Sequence, residues 1–201
     1  MTLTGGLSFR KLLSGEAARL RGHFDRLTPG ESVFRFMGAM GGSSVREHCE
    51  GINWWKTVVL GCFEAGVLRG SAEVHADGRS PMSCEVAIAV ETAWQERGVA
   101  TELLHRALVV ARNRAAREVR IYCLADNHAM QNVARKFGAR FESRAGQSDA
   151  AILIPRPTCA SLYEEALGDG MGWMSFWLEP IAARLRFAPS TAGGQSTGRA
   201  R

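Results

Sequence analysis

Gln95-Glu96-Arg97-Gly98-Val99-Ala100 is the stretch on which the reading of this chain turns. Before it, Cys84 to Val90 reads as a β-strand. After it, Ala100, Leu103, Leu104, Ala107, Leu108 and Ala111 recur at the period of a helix with one apolar face. A strand therefore feeds a glycine-bearing turn that opens directly onto a helix. The first backbone N–H groups of such a helix lack internal partners and point outward, with the positive end of the helix dipole behind them. Gly98 removes a side chain where a ligand would approach, Ala100 keeps the next position small, and Arg97 adds a cation. This is a cradle for a pyrophosphate. The G-K-[S/T] ending of a Walker loop is missing, and so is the G-x-G-x-x-G of a dinucleotide fingerprint.

Outward from this point the chain alternates strands and helices. Val119 to Leu124 reads as a strand. Met130, Val133, Ala134 and Phe137 mark a short helix, with Gly138 placed for a left-handed cap. Phe141 to Ser143 and Ala150 to Ile154 make a closing hairpin around Gly146. Upstream, Thr57 to Phe63 and Val67 to His75 form a hairpin on Ala65-Gly66. A short strand near Leu7 to Leu12 comes first. Ser14 is placed to cap a helix that Pro29-Gly30 stops. Helical stretches follow from Glu31 to about Met40 and from Ser43 to about Cys49. The strand-helix-strand middle requires a parallel pair joined by a right-handed crossover. The expectation is a mixed α/β domain over 1–157, a helical appendage over 158–187 and a disordered tail over 188–201, which is rich in Ser, Thr and Gly.

Composition sets the outer bounds. The chain has 201 residues, 46% hydrophobic and 22% charged, which suits one compact domain with an appendage. No apolar run approaches the roughly 20 residues that span a bilayer, and Met1 to Arg10 has no signal-peptide core. The five cysteines show no C-x-x-C spacing, so a reducing cytoplasm is the expected compartment. No histidine pair has metal-ligand spacing, and no metal is expected. The net charge of +5 fits an arginine-rich proteome or a site for a nucleotide's phosphates. No basic stripe interleaved with aromatics points to nucleic acid.

The motif resembles the Q/R-x-x-G-x-G/A signature of the GNAT superfamily of N-acetyltransferases, written here Q-E-R-G-V-A. The context resembles it too: Val90 ends the preceding strand, Asn127 opens a helix about thirty residues later, and Lys136-Phe137-Gly138 closes that helix. The resemblance covers about residues 6–155. It implies the GNAT fold, a central mixed twisted sheet of six to seven strands flanked by helices. It also implies acetyl-CoA as co-substrate. The backbone amides of Gln95, Glu96, Arg97, Gly98, Val99 and Ala100, with Thr101 beginning the next turn, would hold the CoA pyrophosphate. The Val90 backbone would pair with the pantetheine arm, and Asn127 would bond the carrier near that arm's end. Asn127 also reads as a plain helix N-cap, and both can hold together.

Acetyl transfer to an amine needs a route for one proton. The resemblance implies Glu85, five residues before Val90, as the base; the other reading is a glutamate alternating outward on its strand. Glu91 is a weaker candidate. Glu73, on the neighbouring strand, is read as lining the acceptor pocket. Many relatives carry a tyrosine, as general acid, seven residues after the asparagine; here Ala134 stands there, so the acid is unassigned. Leu27 to Met37 resembles the L-S-x-E-S-x-x-x-R-F stretch of bacterial Pat-type protein-lysine acetyltransferase domains, with Gly30 and the Trp54-Trp55 pair as departures. Trp54 and Trp55 either wall an acceptor pocket, meeting a cationic amine by cation–π contact, or pack in the core.

In the appendage, Gly168, Gly170 and Gly172 are expected to break the chain. Met174, Trp177, Leu178, Ile181 and Leu185 follow on one helical face. That face packs on its own domain or makes a homodimer, ahead of a membrane surface. Two functions compete: an N-acetyltransferase for a protein lysine or small primary amine, and an acyl-CoA-binding sensor module of the same fold with little turnover.

Overall fold

The computed structural model describes residues 6–186 except 39, 78, 79, 81 and 145, with backbone alone at 143, 144 and 174–186. The expected disordered tail lies outside the described residues. So do the side chains of the apolar face from Met174 to Leu185.

Strand β1 (Leu7–Lys11) is followed by helices α1 (Ala17–Phe24), α2 (Pro29–Phe36) and α3 (Gly42–Glu50). Strands β2 (Thr57–Glu64), β3 (Val67–Ala76) and β4 (Ser83–Val90) come next. Then α4 (Val99–Asn113), β5 (Glu118–Leu124), α5 (His128–Arg135), β6 (Arg140–Arg144), β7 (Gln147–Leu153) and α6 (Cys159–Arg186) complete the chain. The seven strands form one sheet in the order β1-β2-β3-β4-β5-β7-β6. All neighbours are antiparallel except β4 and β5, the parallel pair that α4 joins.

Strand alternation divides the core between the two faces of this sheet. On one face Leu60, Ala72, Val74, Val86 and Ile121 pack against Leu103, Leu104 and Ala107 of α4 and Ala134 of α5. On the other, Val59, Phe63, Leu68 and Ala89 pack against Leu20 and Phe24 of α1 and Val45 and Cys49 of α3. The β2–β3 hairpin turns on Ala65 and Gly66, both at positive φ, as a tight two-residue turn requires.

Three local expectations change. Ser14 makes no cap; Glu16 accepts the Leu13 N–H at 3.1 Å and is itself gripped by both Arg10 terminal nitrogens at 2.7 Å. Pro29 does not stop a helix but opens α2, where its missing N–H costs nothing. Thr28 and Glu31 exchange bonds across that first turn as a capping box, at 3.3 and 2.8 Å. The glycines of the appendage do not break the chain either: α6 runs through all three. At Gly172 the helix touches β1 so closely that a Cβ would stand 2.4 Å from the Phe9 carbonyl oxygen and 2.5 Å from the Arg10 Cβ. Lys11 of β1 pairs with Glu165, and with Asp169 at 2.7 Å, and so holds the same junction.

Candidate functional site

The strands β4 and β5 pair only over Ser83–Glu85 with Glu118–Arg120. Beyond that they part, and a fork opens between them. The Glu91 N–H bonds the Arg69 carbonyl of β3 at 3.0 Å, and Val90 stands opposite Gly70. By antiparallel alternation the backbone polar groups of Ile88 and Val90 therefore face away from β3, into the fork. A small cavity of about 20 Å³ lies there, with Phe34, Arg35, Ile88, Tyr122, Asn127 and Met130 on its walls.

The loop above the fork has the conformation that the reading requires. Gly98 is the N-cap of α4 with φ +80°, and a Cβ built on it would meet nothing within 4 Å. The ground above the helix end is thus open. Residues 95–98 are exposed, Val99 is buried under the loop, and Ala100 and Thr101 are half-buried. Glu96 also takes a positive φ, +57°, which a non-glycine residue adopts only when its surroundings hold it there. Arg97 lies out in solvent, 3.9 Å from Glu64. Amides at a helix N-terminus, open space over Gly98 and a strand edge that no other strand covers together fit a diphosphate with an extended amide arm.

Asn127 caps α5, its Oδ1 accepting the Met130 N–H at 3.1 Å, and it also lines the cavity. Its two readings are compatible. Ala134 is wholly buried in the core cluster, so the position seven residues after the asparagine offers no proton donor to the fork. Tyr122 lines the fork.

Glu85 stands half-buried on the face covered by α1, α2 and α3, directly opposite His75 in the β3–β4 register. Glu73 shares that face but is fully enclosed. Its carboxylate accepts from Arg35, from His48 Nε2 at 3.0 Å and from His75 Nε2 at 3.2 Å. Burial alone would raise its pKa; Arg35 and the two imidazoles outweigh burial and hold it well below the ordinary 4.5. With its oxygens taken, Glu73 braces α2 and α3 against β3 rather than presenting a free carboxylate to an acceptor. Glu91 is likewise a brace. It bonds His23 at 3.0 Å, Arg26 at 2.9 Å and Arg69 at 3.1 Å, and the first two lower its pKa against the effect of burial.

The tryptophans part company. Trp54 packs on the core under α1 and α3, whereas Trp55 is 97% exposed. A larger hollow of about 350 Å³ lies between α1, α2 and α3, lined by Phe24, Asp25, Leu27, Val33 and Val45 among others. It shares no lining residue with the fork and lacks the fork's uncovered strand edge, so the smaller opening is the better candidate.

Sequence reasoning missed Arg35, His48 and His75. Arg35 and His48 converge on Glu73 from 38 and 25 residues away, and His75 from the next position but one on its own strand; no local spacing reveals the cluster. Glu31 reads in the sequence only as the start of a helix, and its reach is not legible there. Its Oε1 accepts from Thr92 Oγ1 at 2.6 Å and Gln95 Nε2 at 2.7 Å, tying α2 to the loop.

The model of the acetyltransferase (GNAT) domain family matches residues 13–140. No curated protein matches the chain. Among solved structures, the GNAT domain of S. lividans PAT superposes with a TM-score of 0.64 at 22% identity, covering 73% of this chain and 89% of that one. Salmonella typhimurium yncA, solved with its cofactor acetyl-CoA, gives 0.61 at 14% identity, over 76% of this chain and 96% of that one. A cAMP-binding acyltransferase from Mycobacterium smegmatis gives 0.55 at 21% identity; 82% of this chain matches 48% of that one. At these identities the likeness bears on the fold.

Proposed function

Because this chain belongs to the GNAT acetyltransferase family, we propose that it moves an acetyl group from acetyl-CoA to a primary amine, of a protein lysine or a small molecule, by direct attack within a ternary complex. One observation carries this reading: the fork between β4 and β5 opens beneath the Gly98 loop, so the open end of α4 and a strand edge that no other strand covers are continuous.

The bound carrier supplies an acyl thioester, an activated carbonyl. The rest falls to the chain. The amides of residues 96–101 take the diphosphate, aided by the α4 dipole, while the Gln95 N–H stays on the Thr92 carbonyl at 3.1 Å. The Val90 backbone and Asn127 align the amide arm. Glu85 takes the proton of the incoming ammonium. A free lysine has pKa about 10.4, so only about one in a thousand is neutral near pH 7.4, and a base beside the fork raises that supply. Tyr122, the phenol on the fork wall, holds the proton that the departing sulfur needs. The exposed Trp55 edges the acceptor approach, and Glu73 keeps Arg35 on α2 at the cavity.

A homodimer through α6 belongs to the same proposal, supported by the exposed Leu162, Tyr163 and Leu167 on its outer side. No described helix is long and apolar enough to cross a membrane. The described cysteines are all free, which suits the reducing cytoplasm proposed here.

The test is thiol release from acetyl-CoA against a panel of amines and lysine peptides, with acetylated products read by mass spectrometry. Glu85→Gln is expected to lower kcat by about 10²–10⁴-fold, the usual worth of a general base, with CoA affinity kept. An unchanged pH–rate profile in that variant removes Glu85 from the role. CoA binding without turnover across the whole panel favours the sensor module.

A further inference from the structure

The Val90 carbonyl faces the fork, but it is not free. Gln95 Nε2 donates to it at 2.9 Å. The same nitrogen donates its other hydrogen to Glu31 Oε1 at 2.7 Å. Thr92 Oγ1 donates to that oxygen too, at 2.6 Å, while Glu31 Oε2 accepts the Thr28 N–H at 2.8 Å. Both hydrogens of one side-chain amide are thus engaged, one on the strand edge inside the fork and one on the first turn of α2.

From this we infer that Gln95 is an affinity-setting residue that competes with the ligand: its side-chain amide caps the Val90 carbonyl and must yield it to a ligand that brings an N–H of its own. The inference rests on the proposed carrier site. An amide-bearing arm lying along β4 replaces the cap with an equivalent bond, so the carbonyl stays satisfied throughout. A nucleotide that carries the phosphates without the arm leaves the cap in place and binds without competing with it. The cap thereby tempers affinity for a pantetheine thioester and leaves that for a bare nucleotide untouched, although both carry phosphates that suit the end of α4. Glu31 keeps the displaced amide in place, since the bond to Oε1 need not break when the bond to Val90 does.

The cap makes a prediction opposite in sign to that of a simple brace. By calorimetry on the full chain, Gln95→Ala is expected to bind CoA about fivefold more tightly, the worth of one net hydrogen bond that no longer competes. Its affinity for adenosine 3′,5′-bisphosphate, which has no amide arm, stays at the wild-type value. Gln95→Leu keeps the side-chain bulk without the donor and shifts CoA affinity in the same direction. Equal weakening towards both ligands makes Gln95 a brace of the loop and overturns the inference. So does a CoA affinity that is unchanged or lower while that of the bisphosphate holds. A wild-type chain that binds neither ligand brings down the carrier site itself, and this inference with it.

Discussion

Gly98 holds φ near +80° at the mouth of α4, with empty ground above it. A methyl group there meets no protein atom, so its cost divides in two. The left-handed angle costs the fold about 1–2 kcal/mol for any L side chain. The methyl then stands where, on the proposed reading, the diphosphate comes to the amides. Gly98→Ala should therefore lower the melting temperature by a few degrees and weaken CoA by about ten-fold or more, as one lost charge-assisted contact would; calorimetry and a thermal melt separate the two. Much was legible at this scale where chemistry is local: Gly98 and Asn127 each declare themselves within a few neighbours. Glu73 did not. Its sequence neighbours do not tell that Arg35, His48 and His75 enclose it, because helices from elsewhere in the chain bring two of them there. Glu96 at φ +57° was equally hidden, since the loop imposes that angle against the residue's own preference.

Among the elements, α6 separates two kinds of glycine. Gly172 meets the backbone of β1, whereas a Cβ on Gly170 would meet nothing within 4 Å. Gly172→Leu is expected to lift α6 from β1 and to cost about 1–3 kcal/mol, as overpacking does. Limited proteolysis should then cut within 159–186. Gly170→Ala, in open helix, should instead gain up to about 1 kcal/mol. Equal responses from the two would show that the α6–β1 contact contributes nothing. Three glycines at two-residue spacing read as a break because glycine lowers helix propensity. Packing against β1 and the Lys11 ion pairs override that preference. Strands and the α4 crossover were easier, because period-two and 3.6-residue patterns carry their own evidence. Pro29 was misassigned because the residue that forbids a helix interior also favours the first helical position.

The molecule as a whole places several carboxylates in charged company: Glu16, Glu73, Glu91 and Glu165 all have lowered pKa values. Burial would raise each of them, but their partners outweigh it: Arg10 for Glu16, Arg35 for Glu73, His23 and Arg26 for Glu91, Lys11 and Asn113 for Glu165. A carboxylate with a depressed folded pKa stabilises fully above its unfolded value and loses that contribution as pH falls through the folded one. Melting temperature should accordingly hold from about pH 7 to about pH 5, then fall steadily below the ordinary value of 4.5. A melt profile flat from about pH 7 to about pH 3 contradicts these pairings. The sheet has one more property at this scale. Its four strands β1 to β4 and its three strands β5 to β7 meet along a single short seam, stitched at one end like two covers on half a spine. Whatever lies in the open half binds the covers together, and resistance to unfolding then grows with the logarithm of its concentration. A cell well fed with that molecule would keep more of this protein intact, so supply of the donor would govern the lifetime of the catalyst as well as its rate.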